Sequence, residues 1–180
     1  LIVSPLKASL PSWGLSLIEG LIKMCIFVGY MALTGLIPDM KRLYGYHGAE
    51  HKTIACFEAG EELTVENVRK HTRFHPRCGT SFIFLVLFIS IILSSVVTWD
   101  SLVTRVLLKL AMLPLVTAIA YELIRLAGKY DNLFTRVISW PGLKIQRLTT
   151  REPEDSMIEA AIASIEAVLP ENIGEAEWGK

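Results

Sequence analysis

All four histidines of this chain fall between residues 47 and 75, and they arrive in two pairs. The first pair reads His47-Gly48-Ala49-Glu50-His51. The second reads His71-Thr72-Arg73-Phe74-His75 and runs on into Pro76-Arg77-Cys78-Gly79. Each pair is spaced i, i+4, which stacks two side chains on one face if the segment is helical. Imidazole and thiolate together suit Zn²⁺, with iron the weaker alternative. His75-x-x-Cys78 followed by Gly79 has the form of a zinc knuckle, two ligands two residues apart with a glycine that lets the backbone turn beneath the ion. The expected metal ligands are therefore drawn from His47, His51, His71, His75 and Cys78. The His47/His51 pair completes a tetrahedral shell, or His71 replaces one member. Helix capping or contact with lipid headgroups is the plainer alternative for the histidines, and it leaves their confinement to one stretch unexplained.

His47-x-x-Glu50-His51 also matches the inverted zincin pattern, in which two histidines bind zinc and the glutamate is the general base. A glutamate in that place can equally orient a ligand imidazole by hydrogen bond. The two roles lead to two functions. With Glu50 as the catalytic base, three ligands leave one position for water, and the expectation is a zinc-dependent hydrolase at the cytoplasmic membrane face, its substrate unspecified. With a closed four-ligand shell, the zinc is structural and the chain is a non-catalytic membrane scaffold or assembly protein.

The elements that must position these residues read as membrane helices. The chain is 52% hydrophobic and only 20% charged over 180 residues, a balance that suggests membrane insertion. Its formal net charge of +0 gives no general attraction to nucleic acid, and the bilayer is the expected partner. Trp13 to Ile37 is a first candidate span, with Glu19 and Lys23 at i, i+4 as a helix pair near one interface. Thr80 to Trp99 carries no charge and is the clearest span. Val106 to Ile124, with a kink expected at Pro114, is the third and makes an antiparallel hairpin with the second. The fold class predicted is all-α, an integral membrane protein of three transmembrane helices.

Four sections follow: 1–37 with the first span, 38–79 as the His/Cys loop domain, 80–124 as the transmembrane hairpin, and 125–180 as the tail. Lys and Arg concentrate in 38–79 and just after span three, so the positive-inside rule makes loop and tail cytoplasmic and the protein multi-pass in the plasma membrane. Within the loop, one helix is expected from Tyr46 to Ala59, closed by Gly60, and another from an N-cap at Thr64 to His75. In the tail, Trp140-Pro141-Gly142 reads as a break. An amphipathic helix over 153–169 follows, with Pro153 in its first turn and a stripe through Met157, Ile158, Ala161 and Ile162 that should pack on the loop domain. Gly174 onward is expected to be disordered. Cys25 and Cys56 read as packed thiols, and an odd cysteine count argues against a disulfide framework. Glu122 reads as a helix-end salt bridge, or else as a ligand or a partner for Arg73 or Arg77. Leu1 in place of methionine suggests a fragment or a processed chain.

Five separated motifs occur in order: 46–53 (Tyr-His-Gly-Ala-Glu-His-Lys-Thr), 61–68, 75–82 (His-Pro-Arg-Cys-Gly-Thr-Ser-Phe), 121–128 and 148–153. Together they resemble the YqhQ-like family, a bacterial and plastid group of multi-pass membrane proteins of unknown function, some labelled as metal-dependent enzymes. The resemblance covers roughly residues 12 to 170. It implies an integral membrane protein with a metal site. Members of that family carry a further N-terminal part, so an additional N-terminal region or protein partner, or a second copy of the chain, is left open as what completes the assembly.

Overall fold

The computed structural model describes residues 10–96 and 101–170. Seven helices and no strand occur among them: α1 (Ser12–Thr34), α2 (Pro38–Glu58), α3 (Val65–Lys70), α4 (Gly79–Val96), α5 (Leu102–Lys129), α6 (Leu133–Thr149) and α7 (Asp155–Glu166). Three stretches are long and apolar enough to cross a bilayer: Trp13–Thr34, Gly79–Val96 and Val103–Lys129. The fold is all-α with three membrane helices, as the apolar runs predict. The third runs longer than the 106–124 expected and passes through Pro114 unbroken. Positions 97–100, where the second span was expected to end, lie outside the described residues, as does Gly174 onward.

Two apolar cores divide the molecule. In the membrane part, Leu85 and Ile89 of α4 pack on Val116, Ala120 and Ile124 of α5. α1 leans on α4 where Gly20 meets Ile91, a contact so close that a Cβ on Gly20 would lie 2.5 Å from Ile91 Cγ1. Cys25 is exposed on α1 rather than packed, a correction that follows from how little of this helix is covered by the rest of the chain. The second core lies outside the membrane helices, where α2, α3 and α7 enclose Ala49, Cys56, Val68, Met157 and Ile158. Val68 and Ile158 are wholly buried, each worth about 1.5–3 kcal/mol in apolar transfer. The stripe of α7 packs on the loop domain as its periodicity predicts, with Ala161 and Ile162 at the edge of this core.

Several local expectations need correction. α2 begins at Pro38, eight residues before Tyr46, because proline at the first helical position starts a helix as readily as it stops the one before. It ends as expected, with Gly60 at φ 73 taking the left-handed turn. Thr64 caps α3, accepting from the Asn67 backbone, but the helix stops at Lys70 and His71–His75 is irregular. Side chains draw that segment out of helical form: Lys52 donates to the Arg69 carbonyl and His51 to the Arg73 carbonyl. α6 runs straight through Trp140-Pro141-Gly142, where a break was expected. It is held on both sides of the proline, by the Asn132 capping box before it and by Gly142 and Gln146 against Ser81 after it. α7 starts at Asp155, so Pro153 precedes the helix rather than standing in its first turn. Glu19 pairs with Arg105 of α5 rather than with Lys23, and Glu122 pairs with Arg125 one turn along its own helix.

Gly45 and Gly48 form a bare strip on α2. The extended segment 150–153 lies against it, Arg151 N–H donating to the Tyr44 carbonyl at 2.8 Å. A Cβ on Gly48 would stand 2.0 Å from the Arg151 carbonyl oxygen, and one on Gly45 2.6 Å from Met157 Sδ. The first neighbour is backbone and cannot swing aside. Gly48→Ala should therefore cost about 1–3 kcal/mol through overpacking, read as a lowered unfolding temperature and faster proteolysis after residue 150. Gly29→Ala, with nothing within 4 Å of the added Cβ, should be neutral or stabilising by comparison.

Candidate metal centre

α2 carries His47 and His51 one turn apart, their rings edge to face with centroids 4.4 Å apart. Each ring is fixed from behind. His47 Nδ1–H donates to the Thr149 carbonyl at 2.8 Å and His51 Nδ1–H to the Arg73 carbonyl at 2.7 Å. A carbonyl can only accept, so the proton sits on Nδ1 and both Nε2 atoms are turned inward. Cys78 Sγ lies 3.2 Å from His47 Nε2, and the ligand atoms of His47, His51 and Cys78 all fall within 4.8 Å of one another. Cys78 and His51 are buried, while His47 is half-buried.

Cys78 stands at the edge of α4, its carbonyl accepting from Phe82 N and its sulfur 3.2 Å from Thr80 Oγ1. Burial opposes ionisation of this thiol, yet hydrogen bonds from His47, His51 and Thr80 outweigh it and hold Cys78 at about 5. The same hydrogen bond to Cys78 raises His47 above its ordinary value, against burial. A low-pKa thiol thus faces an imidazole whose proton affinity it raises, and a divalent cation bound there would have to displace protons.

Of the other expected ligands, His75 lines the same cleft but does not join the converging donors, and His71 lies elsewhere. His75 is buried, its ring 5.7 Å from that of His51, but its Nε2 is aimed at Glu58 at 3.5 Å and its Nδ1 accepts from Arg77 N. Burial lowers its pKa. His71 joins Cys56 and Glu61 in a second group of donors at the far end of α2, with its Nε2 3.4 Å from Glu61. Glu50 is exposed and lines a cleft of about 500 Å³ together with His47, His51, Cys78, Arg77 and Arg125. Phe82, Tyr121 and Ile124, from the membrane helices, form the apolar wall of that cleft.

Gln146 carries no sequence signal, yet it sets the position of the whole turn. Wholly buried, it accepts from His75 N at 2.8 Å and donates to the His75 carbonyl at 2.7 Å and to Ser81 Oγ at 2.8 Å. Every hydrogen-bonding edge of the amide is directed at the residues just before and after Cys78. Glu58, which pairs with Arg77 and faces His75, shares a helix face with His47, Glu50 and His51 by spacing, but its role beside His75 was not expected.

A family model described as a protein of unknown function, DUF1385, matches residues 2–171. The chain belongs to this family. The uncharacterized protein YqhQ of Bacillus subtilis (strain 168) is 39% identical over 153 residues, 84% of this chain and 48% of the relative. The chain spans about half the length of that curated relative. No solved structure matches. The resemblance read from the five motifs is thereby borne out, while neither description of a family member names a metal, a reaction or a substrate. The case for any chemistry rests on the geometry.

In metal-free protein the ultraviolet absorbance of the Cys78 thiolate should persist until the pH falls to about 5. Its depressed pKa adds stability that is fully present above the unfolded thiol value, near 8.5, and is lost as pH falls through 5. His47→Asn should move the titration upward, and an unchanged midpoint would break the pairing of these two side chains.

Proposed function

We propose that His47, His51 and Cys78 hold a zinc ion, and that this chain carries the active centre of a metal-dependent hydrolase at the cytoplasmic end of a membrane bundle. The observation that supports it most is the fixing of two imidazoles through Nδ1–H to backbone carbonyls, so that both Nε2 atoms and one thiolate sulfur converge. Proteins orient ligand histidines in this way. Two imidazoles and a thiolate suit Zn²⁺ better than iron. Zinc held by these three residues would supply Lewis-acid activation of a water, whose pKa it would bring toward about 7.

The residues of the chain supply the rest. Glu50 lines the cleft beside the two histidines and is the group to accept a proton there. Arg77 and Arg125 line the same cleft, and although each is paired with a carboxylate, Glu58 and Glu122, they are the cations nearest to where negative charge would develop in a hydrolytic transition state. Phe82, Tyr121 and Ile124 give an apolar wall continuous with the membrane helices, which fits a substrate held at the membrane boundary. The excess of Lys and Arg in 38–79 and in the tail supports a cytoplasmic side for this end, in a protein we place in the plasma membrane as part of the same proposal.

A second reading has its own support. The three donors come from α2 and from the edge of α4, so an ion held by them would staple the outer domain to the membrane bundle. A purely structural zinc wants a fourth protein ligand, and among the described residues no fourth donor joins the group. The hydrolase reading takes the three-donor set as it stands, whereas the structural one needs His75, which lines the same cleft, to turn from Glu58.

Metal analysis of the purified chain should find zinc near one per chain, lost in His47→Ala, His51→Ala and Cys78→Ser and retained in Glu50→Gln. Glu50→Gln should lower turnover of a panel of ester, amide and phosphodiester amphiphiles by about 10²–10⁴-fold, the usual worth of a general base. Loss of metal and fold in Glu50→Gln would make that residue structural. Full metal in all three ligand variants would end the proposal.

A further inference from the structure

The half of the bundle away from the histidines holds a second polar site, inside the membrane. α1, α4 and α5 border a half-open cavity of about 240 Å³, lined among others by Glu19, Lys23, Arg105 and Lys109. A water occupies about 30 Å³ in the liquid, so the space suits a group larger than a single solvent molecule. The cavity sits toward the end of the bundle opposite the histidines, between the first half of α1, which carries Glu19 and Lys23, and the first eight residues of α5, which carry Arg105 and Lys109. Ionisable side chains within membrane-spanning helices are costly and mark functional sites.

The charge in this cavity does not balance. Glu19 ion-pairs with Arg105 across the gap between α1 and α5, and among the described residues it is the one carboxylate facing three cations. Lys23 and Lys109 are left facing the same space with a formal excess of two positive charges. Like charges in low dielectric repel strongly, and a bound anion relieves them. Ser16, Ser90 and Ser94 add hydroxyl donors, while Met24, Leu87 and Met112 make the remaining wall apolar. Cations and hydroxyls beside an aliphatic surface, in a cavity within the bilayer, are complementary to an oxyanion attached to a hydrocarbon chain.

We propose that this cavity binds a phosphate-class oxyanion, the headgroup of an anionic membrane amphiphile, with Lys23 and Lys109 holding the charge and the Met24–Leu87–Met112 wall receiving the chain. The site is separate from the metal centre and stands without it.

The test uses the full chain in neutral detergent, titrated with short-chain phosphatidylglycerol, short-chain phosphatidylcholine and inorganic phosphate. One-to-one adducts are counted by native mass spectrometry, beside the ligand-induced shift in unfolding temperature. Phosphatidylglycerol should bind in preference to phosphatidylcholine. The Lys23→Gln/Lys109→Gln double variant should bind it about thirtyfold more weakly, the combined attraction of two lysines for an anionic headgroup. Glu19→Gln removes the competing carboxylate and should tighten binding, a change of sign that general damage to the bundle would not give. Inorganic phosphate binding as well as the lipid, with the same lysine dependence, supports the oxyanion site and assigns it to a free anion. Equal binding of both lipids, no effect of the double variant, or weakening in Glu19→Gln equal to that of the lysine variants overturns the proposal.

Discussion

Two hydrogen bonds from imidazole to backbone, His47 to Thr149 and His51 to Arg73, are the constraint on which the rest of the site depends. They decide which nitrogen of each ring faces inward, and so whether the cluster can act as a donor set at all. Neither carbonyl is nearby in sequence to the ring it holds. Thr149 reaches His47 only because α6 ends there and the chain then lies flat on Gly45 and Gly48. Glycine inside a helix costs about 1 kcal/mol relative to alanine, and here the close approach of Arg151 gives that cost a structural use.

The other half of the site is fixed by the same C-terminal segment. Gln146 holds the backbone of His75 and the hydroxyl of Ser81, and so braces the turn that carries Cys78 from both ends. Glu152 pairs with Lys52 and Arg73, and Arg69 with Asp155, which ties the 69–73 stretch to the segment before α7. The Arg69–Asp155 pair is exposed at both ends and worth about 0–1 kcal/mol, whereas Lys52 is buried where it meets Glu152. The stronger hold comes from Val68, Met157 and Ile158 packed against Cys56 and Ala49. The tail therefore belongs to the centre rather than trailing from it.

The membrane helices were legible in the sequence because twenty uncharged residues admit few other environments, and the α7 stripe because its apolar residues repeat with the helical period. The histidine and cysteine cluster was legible by composition alone. How those five residues divide was not: i, i+4 spacing says that His71 and His75 share a face only if the segment is helical, and side chains from α2 hold it extended. Likewise, a proline after a tryptophan and before a glycine reads as a break, yet packing of Gly142 against Ser81 keeps α6 whole. Gln146 was invisible because an amide has no spacing rule. Its role exists only once two distant backbone groups meet around it.

The central claim is that Cys78 is a metal ligand beside His47 and His51, and the direct measurement is its rate of alkylation. In the protein as purified the thiolate should be shielded by the ion and should react slowly. After a chelator removes the metal it should react fast at neutral pH, because a thiol held at about 5 is ionised there. Cys56, buried and with its pKa raised, serves as the internal reference and should stay slow in both states. Protection of Cys78 before chelation and its loss afterwards is the result this account predicts. Equal rates before and after would contradict it.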